Sequence, residues 1–239
     1  MGRRKPTPAL IGAVVVVASF AACSVSDAPT DPVASQSTAS PIPAAAGSAT
    51  DMARALQARS GQTRAVLDTL PVKGRAPMTG YSREEFGPDW SDVNRNGCDT
   101  RNDILTRDLS DTEIVNCVVL RGVLSDPYSG ETAQFTRGPV SSMDVQIDHV
   151  VALANAWQTG AFKWSQEKRE RFANDPRNLL AVRGDLNLQK GDGDAATWLP
   201  PSKSFRCEYV ERQIEVKAAY ELWVTEPEKA AMLRVMATC

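Results

Sequence analysis

The 239-residue chain has little of several things, and each shortage narrows its chemistry. It holds a single histidine, His149, which excludes His-rich metal sites and relays of several imidazoles. Neither sign of charge dominates. Lys and Arg number 27 against 29 Asp and Glu, a net charge of −2, so no basic composition announces a nucleic-acid binder and there is no acidic tail. No Gly-x-Ser-x-Gly elbow occurs, which argues against a Ser-His-Asp hydrolase built around the one imidazole. The cysteine spacings fit no Cys-x-x-Cys zinc pattern. Neither an internal repeat nor a sequence-reading nucleic-acid module is evident. What remains, 42% apolar and 23% charged, is an ordinary globular composition that excludes wholesale disorder and a multi-span membrane protein.

Arg3, Arg4 and Lys5 precede an apolar stretch from Ala9 to Ala22. That stretch is shorter than the roughly 20 residues of a membrane span and fits the apolar region of a secretory signal. It ends in Phe20-Ala21-Ala22-Cys23, which resembles a bacterial lipobox with Phe20 where Leu is usual. The resemblance implies a lipidated Cys23 as the mature N-terminus; an ordinary cleaved signal is the alternative. Either way the protein is expected to be exported, as a cell-surface lipoprotein or secreted, and to meet a membrane only through that anchor. Loss of residues 1–22 removes three cations and takes the net charge from −2 to −5. A polyanionic substrate must then be held by a local site, a metal ion or both, because the global field does not attract it. Residues 24–50, rich in Ser, Ala, Pro and Thr, read as a flexible tether. The folded domain is expected over 51–239, as a monomer.

With Cys23 lipidated, four cysteines remain, and an even number in an exported domain suggests two disulfides. Of the three pairings, Cys98–Cys117 with Cys207–Cys239 is favoured, since a terminal residue gains most from a staple. Helices are expected over 51–69, near 101–109, over 165–174, from about 185, and from Cys207 to Val224. Thr225-Glu226-Pro227-Glu228 has the spacing of a capping box that opens the last helix. Ser82-Arg83-Glu84-Glu85 has the same spacing before Phe86. Strands are expected over Val115 to Val123, near 131–136, over Val145 to Val151 and over Leu179 to Val182, with a turn at Asp126-Pro127-Tyr128-Ser129-Gly130. The fold class is α+β with small antiparallel strands.

The histidine sits in Val145-Gln146-Ile147-Asp148-His149-Val150-Val151, an Asp-His pair at the end of an apolar strand. Alternation sends neighbouring side chains to opposite faces, though a twisted strand end can bring both to one site. Downstream come Asn178 opening a second strand, then Asn187-Leu188-Gln189-Lys190-Gly191-Asp192 on a helix. With Gly97-Cys98-Asp99-Thr100-Arg101-Asn102, Ala156-Trp157, Phe172-Ala173-Asn174-Asp175 and Trp198-Leu199-Pro200-Pro201, the series resembles the HNH branch of the ββα-metal endonucleases. Within that branch it is most similar to the C-terminal HNH domain of GmrSD-type restriction enzymes. The resemblance runs from about Tyr81 to Val224. It implies a ββα-metal core, about 144–195, embedded in a mostly helical domain, and hydrolysis of DNA or RNA phosphodiester bonds with little sequence specificity. His149 would be the general base. Asp148 and Asn187 would ligate a divalent cation, Mg²⁺ first and Mn²⁺ as a substitute, and Asn178 would brace the loop between the strands. Lys190 and Arg101 are candidate phosphate contacts. Asn187 stands at the last letter of the motif, and Ala152 stands where a proline is typical.

A second constellation, Asp92-Val93-Asn94-Arg95-Asn96-Gly97 through Asp103, matches the oxygen offsets of a Ca²⁺-binding EF-hand loop, with Asp where Glu is usual at its twelfth position. It is a candidate structural Ca²⁺ site. Trp157, Trp164 and Trp198 read as packing residues. Lys163, Lys168, Arg169 and Arg171 alternate with Glu167 and Glu170 as a solvated helix face. The alternative to a nuclease is a non-catalytic surface lipoprotein that binds a cell-envelope partner or Ca²⁺.

Overall fold

The computed structural model describes residues 49–139 and 141–239. The expected signal segment and Cys23 lie outside the described residues. So does the tether, except for Ala49 and Thr50, which already belong to the first helix.

The described chain is a mixed α+β domain. Its α-helices are α1 (Ala49–Thr69), α2 (Thr100–Asp108), α3 (Leu153–Gln158), α4 (Gln166–Ala173), α5 (Gly184–Lys190), α6 (Arg206–Ala219) and α7 (Glu226–Met236). Strands β1 (Leu109–Val115), β2 (Val118–Ser125) and β3 (Thr132–Thr136) form an antiparallel sheet in that order. Strands β4 (Val145–His149) and β5 (Leu179–Arg183) form a second, two-stranded antiparallel sheet.

Most helix expectations hold within a few residues, and the caps explain why. Ser165 caps α4 by accepting the Lys168 amide, and Thr225 with Glu228 closes the capping box of α7 with Pro in its first turn. Two strand expectations need correction, and one strand was not expected. The β-branched run from Val115 is not one strand. Asn116 and Cys117 adopt positive φ of 48° and 68°, a tight turn between β1 and β2. Strand β1 escapes sequence reading because Leu109–Val115 is mostly polar and its outer residues are exposed. The strand expected to run to Val151 stops at His149. Val150 still donates in register to the Asn178 carbonyl, but the Asn178 N–H turns back to the Asp175 carbonyl and the Val151 N–H goes to the Asn178 side chain, so the ladder is not continued.

Both disulfides form as favoured, Cys98–Cys117 and Cys207–Cys239, with Cα separations of 5.3 and 5.8 Å. The first ties the start of α2 to the β1–β2 turn. The second ties the start of α6 to the final residue.

The β4–β5 pair is the common wall of the interior. Leu179 and Ala181 face one apolar cluster with Ile104, Leu105, Val119, Phe135 and Ile147. Leu180 and Val182 face another with Tyr128, Tyr209, Ile214 and Met232. The period of two therefore buries both faces of β5. A third cluster, with Phe86, Trp157 and Phe172, takes Val151 and Leu153 just past β4. Each such fully buried side chain contributes roughly 1.5–3 kcal/mol, so the end of β4 is held from three sides. Helix α5 follows β5 without a loop. Its first residue, Gly184, donates to the carbonyl of Asp144, and a β-carbon there would lie 1.9 Å from the carbonyl oxygen of Met143. Only glycine lets α5 sit this close to the start of β4.

Candidate active site

The register pairs Asp148 with Leu180 and His149 with Leu179 at the end of the two-stranded sheet. Despite their alternation, both residues line one cavity of about 300 Å³. Asn187 of α5 lines it too, with Tyr81, Arg83, Leu188 and Asp192 among the remaining walls. Three residues that are distant in sequence, Asp148, His149 and Asn187, are thus brought together.

His149 is 7% exposed and tightly oriented. Its Nε2 lies 2.8 Å from the carbonyl oxygen of Ala173 at the end of α4. A carbonyl only accepts, so Nε2 carries the proton and Nδ1 keeps a free lone pair. Nδ1 has no protein partner among the described residues. Trp90 lies parallel to the imidazole, with centroids 5.9 Å apart and planes within 10°. Burial pushes the imidazole pKa down to about 3, helped by the positive charges of Arg83 and Lys190 and opposed by the bond to Ala173. The ring is neutral across the physiological range.

Asp148 is buried between two donors. Lys190 Nζ donates to its Oδ1 and to the carbonyl of His149, each at 2.9 Å, and the Tyr128 hydroxyl donates to its Oδ2. Burial raises the Asp148 pKa, while the Lys190 charge and the Tyr128 bond restrain the rise. Burial also lifts the Tyr128 hydroxyl well above its ordinary range, so it stays a donor. Asn187 Nδ2 donates to Gln146 Oε1 at 2.9 Å, which turns its carbonyl oxygen away from that bond.

Asn178 is fully buried and grips the chain after β4. Its Oδ1 accepts the Val151 N–H at 2.8 Å and its Nδ2 donates to the Val151 carbonyl at 3.2 Å.

The two candidate phosphate contacts are placed elsewhere. Lys190 has a side chain 0% exposed and is engaged by Asp148. Arg101 is not among the cavity walls; it donates to the Val145 carbonyl at 3.2 Å. The helix face around α4 is paired: Arg171 with Glu167, Lys168 with Glu221, Arg169 with Glu85. The tryptophans pack, Trp157 against Phe86 and Trp198 against Tyr128.

The Asp92–Asp103 loop is satisfied by its own hydrogen bonds. Asp92 accepts the backbone amides of Asn96 and Gly97, and Asp103 accepts from the carboxamides of Asn94 and Asn96. Asp99 caps α2 by accepting the Asn102 amide. Among the described residues no group of three or more His, Cys, Asp or Glu side chains gathers to hold a metal ion.

Four contributors were missed by sequence reasoning: Tyr128, Trp90, Arg83 and the Ala173 carbonyl. Tyr128 lay in plain view within the Asp126–Gly130 turn. Its place under Asp148 is set by Asp126, which accepts both the Ser129 amide and the Arg183 amide at the end of β5.

Comparison with known proteins agrees with this architecture. A secreted protein of the fungus Arthroderma benhamiae, itself uncharacterized, is 38% identical over 179 residues, covering 74% of this chain and 84% of that protein. No solved structure matches. The family model for the C-terminal domain of GmrSD restriction endonucleases matches residues 99–235, which include β4, β5, α5 and every residue from Asp148 to Asn187. The chain belongs to the family of the GmrSD restriction endonuclease C-terminal domain.

Proposed function

We propose that the protein is an exported, metal-dependent endonuclease that hydrolyses phosphodiester bonds of DNA or RNA, with His149 as general base. One observation carries the reading: a buried, neutral imidazole, fixed through Nε2 and with no protein partner at Nδ1 among the described residues, lines a cavity that Asp148 and Asn187 also line. The match to the GmrSD C-terminal domain supports the reading, as does the order of an antiparallel β4–β5 pair followed directly by α5, which is the order a ββα core calls for.

In the reaction, a water molecule in the cavity gives its proton to Nδ1 while its oxygen attacks phosphorus. The bond from phosphorus to the leaving sugar oxygen breaks, and that oxygen takes a proton from solvent. The bond from Nε2 to Ala173 and the Trp90 ring keep the imidazole in one orientation throughout.

The donor set fits a hard divalent cation. Each Asp148 oxygen accepts one side-chain hydrogen bond, and Asn187 Oδ1 has no protein partner among the described residues. Two oxygen donors beside a cavity of about 300 Å³ suit Mg²⁺ or Mn²⁺, which retain several waters. Such a cation would supply charge neutralisation at the phosphate and at the leaving oxygen. Lys190 and Tyr128 act on Asp148, countering the burial that raises its pKa and holding the carboxylate in one rotamer.

Two disulfides and a relative described as secreted support export. Removal of residues 1–22 and lipid attachment at Cys23 complete the proposal, and an intact mass of the mature protein tests them.

The test of function is incubation of the oxidised protein with plasmid and with RNA in Mg²⁺, Mn²⁺, Ca²⁺ or EDTA. Cleavage in Mg²⁺ or Mn²⁺ and none in EDTA is expected. A folded protein that cleaves neither substrate with any metal overturns the reading and favours a non-catalytic binding role.

A further inference from the structure

We infer that Arg83 binds a phosphate of the nucleic-acid strand in the His149 cavity, so that segment 81–90, which precedes the family-matched residues, is a built part of the site. The inference rests on the nuclease reading above.

The first ground is the charge inventory of the cavity. Among its walls Arg83 is the one cation, beside the carboxylates Asp148 and Asp192. Lys190 neutralises Asp148 from behind, so it is spent. Arg101 points to the Val145 carbonyl. A polyanionic strand reaching His149 therefore meets Arg83 and no other side-chain cation of the described residues in that wall. Arg83 also lines the narrow crevice that reaches His149 beside Trp90 and Ala173.

The second ground is a fixed backbone under a free side chain. Arg169 clamps the segment, donating to the Glu85 carbonyl and the Glu85 carboxylate, each at 2.7 Å, and to the Trp164 carbonyl. Phe86 is 1% exposed in the core, and Ser91 donates to Glu170. At Gly87 a β-carbon would crowd Glu170 at 3.1 Å, and its φ of +86° already calls for glycine. Arg83 itself has one partner, Asp89 at 3.4 Å, with the two side chains 54% and 71% exposed. Such a contact is screened by water and yields readily to a better acceptor. A guanidinium offers a planar fork of donors that matches two phosphate oxygens.

The third ground lies in the family match, which covers 99–235 and leaves Tyr81, Arg83 and Trp90 outside it. Of the cavity's walls Tyr81 and Arg83 come from before the match and the rest from within it.

The experiment measures oligonucleotide binding across a salt series for the oxidised His149→Ala protein, with and without Arg83→Ala, Arg83→Lys or Asp89→Ala. Cleavage is measured in parallel with His149 intact. Arg83→Ala should weaken binding about tenfold and lower the slope of log K against log salt by about 0.7–0.9, the value of one phosphate contact. Arg83→Lys should restore the slope while regaining only part of kcat/KM, because the fork is lost. Asp89→Ala should leave binding intact or tighten it. If Arg83 served only a structural pair with Asp89, the two alanine variants would behave alike. Unchanged slope and unchanged kcat/KM in Arg83→Ala, with the parent protein cleaving, overturn this inference alone. A parent protein that does not cleave overturns the nuclease reading and this inference with it.

Discussion

Two lysines of this domain are buried completely, and each faces a carboxylate. Lys190 lies 2.9 Å from Asp148, and Lys217 lies 2.7 Å from Glu228. The pairs are alike in chemistry and differ in surroundings. Lys217 and Glu228 are both 0% exposed in the helical interior. There Lys217 donates to the Trp223 carbonyl, and Glu228 Oε2 accepts the Thr225 amide in the α7 capping box. The second oxygen, Oε1, meets the ammonium as a charge contact with no aligned hydrogen bond. The Lys190 pair has a cavity on one side, and its lysine also ties down the backbone carbonyl of the catalytic candidate His149. A buried ion pair by itself therefore says nothing about function. What sets the Lys190 pair apart is the cavity that Asp148 lines and the fact that the second lysine bond goes to His149, which lines the same cavity.

Breaking each pair should separate their roles. Lys217→Met leaves Glu228 buried without a counter-charge and should cost about 3–5 kcal/mol of stability, read by urea unfolding, with kcat unchanged in the surviving folded fraction. Lys190→Met should do the reverse. Water in the cavity can solvate Asp148, so the stability loss should be smaller than at Lys217, while kcat falls roughly 10- to 100-fold through a disoriented carboxylate. A Lys190→Met protein of full activity would show that this pair is structural as well.

The imidazole supplies a finer test of the same contrast. The folded-state pKa of His149 is about 3, below the ordinary 6.5. Above pH 6.5 both folded and unfolded chains carry it neutral. As pH falls below 6.5 the unfolded chain takes up a proton that the folded chain refuses, so stability drops by up to about 1.4 kcal/mol per pH unit until pH nears 3. Asp148, with its raised pKa, acts with the opposite sign, and it is present in both proteins compared. The difference between wild type and His149→Asn, followed by urea unfolding from pH 7 to 4, should therefore show the His149 slope alone. Equal slopes would mean that the histidine is not held neutral. The smallest effect is expected from Lys217→Met combined with Glu228→Leu, which removes both buried charges and should return stability to within about 1 kcal/mol of wild type.

How much of this was legible in the sequence depends on the range of the interaction. Asp148 and His149 at a strand end, Asn187 on the next helix and both disulfides were readable, because a motif and an even cysteine count are local or countable signals. The capping box at Thr225 was readable for the same reason. The similar pattern at Ser82 misled: it opens a single 3-10 turn, Arg83–Phe86, and Ser82 makes no cap bond. Its Arg83 is one of the walls of the cavity, which only the tertiary structure shows. The contacts of Tyr128, Trp90 and the Ala173 carbonyl were not legible because each meets Asp148 or His149 across 20 to 59 residues of chain. The sequence reading of Lys190 as a phosphate contact failed because nothing local shows that its side chain turns inward. Strand β1 was hidden by its polar composition and revealed only by its partner β2.

The central claim is that the free nitrogen of His149 takes the proton from the attacking water. The most direct measurement is the single-turnover cleavage rate of His149→Ala against wild type, at saturating metal and substrate, with both melting curves recorded. The account predicts a loss of about 10²–10⁴-fold in rate with a folded variant. A folded His149→Ala protein that cleaves at the wild-type rate contradicts it.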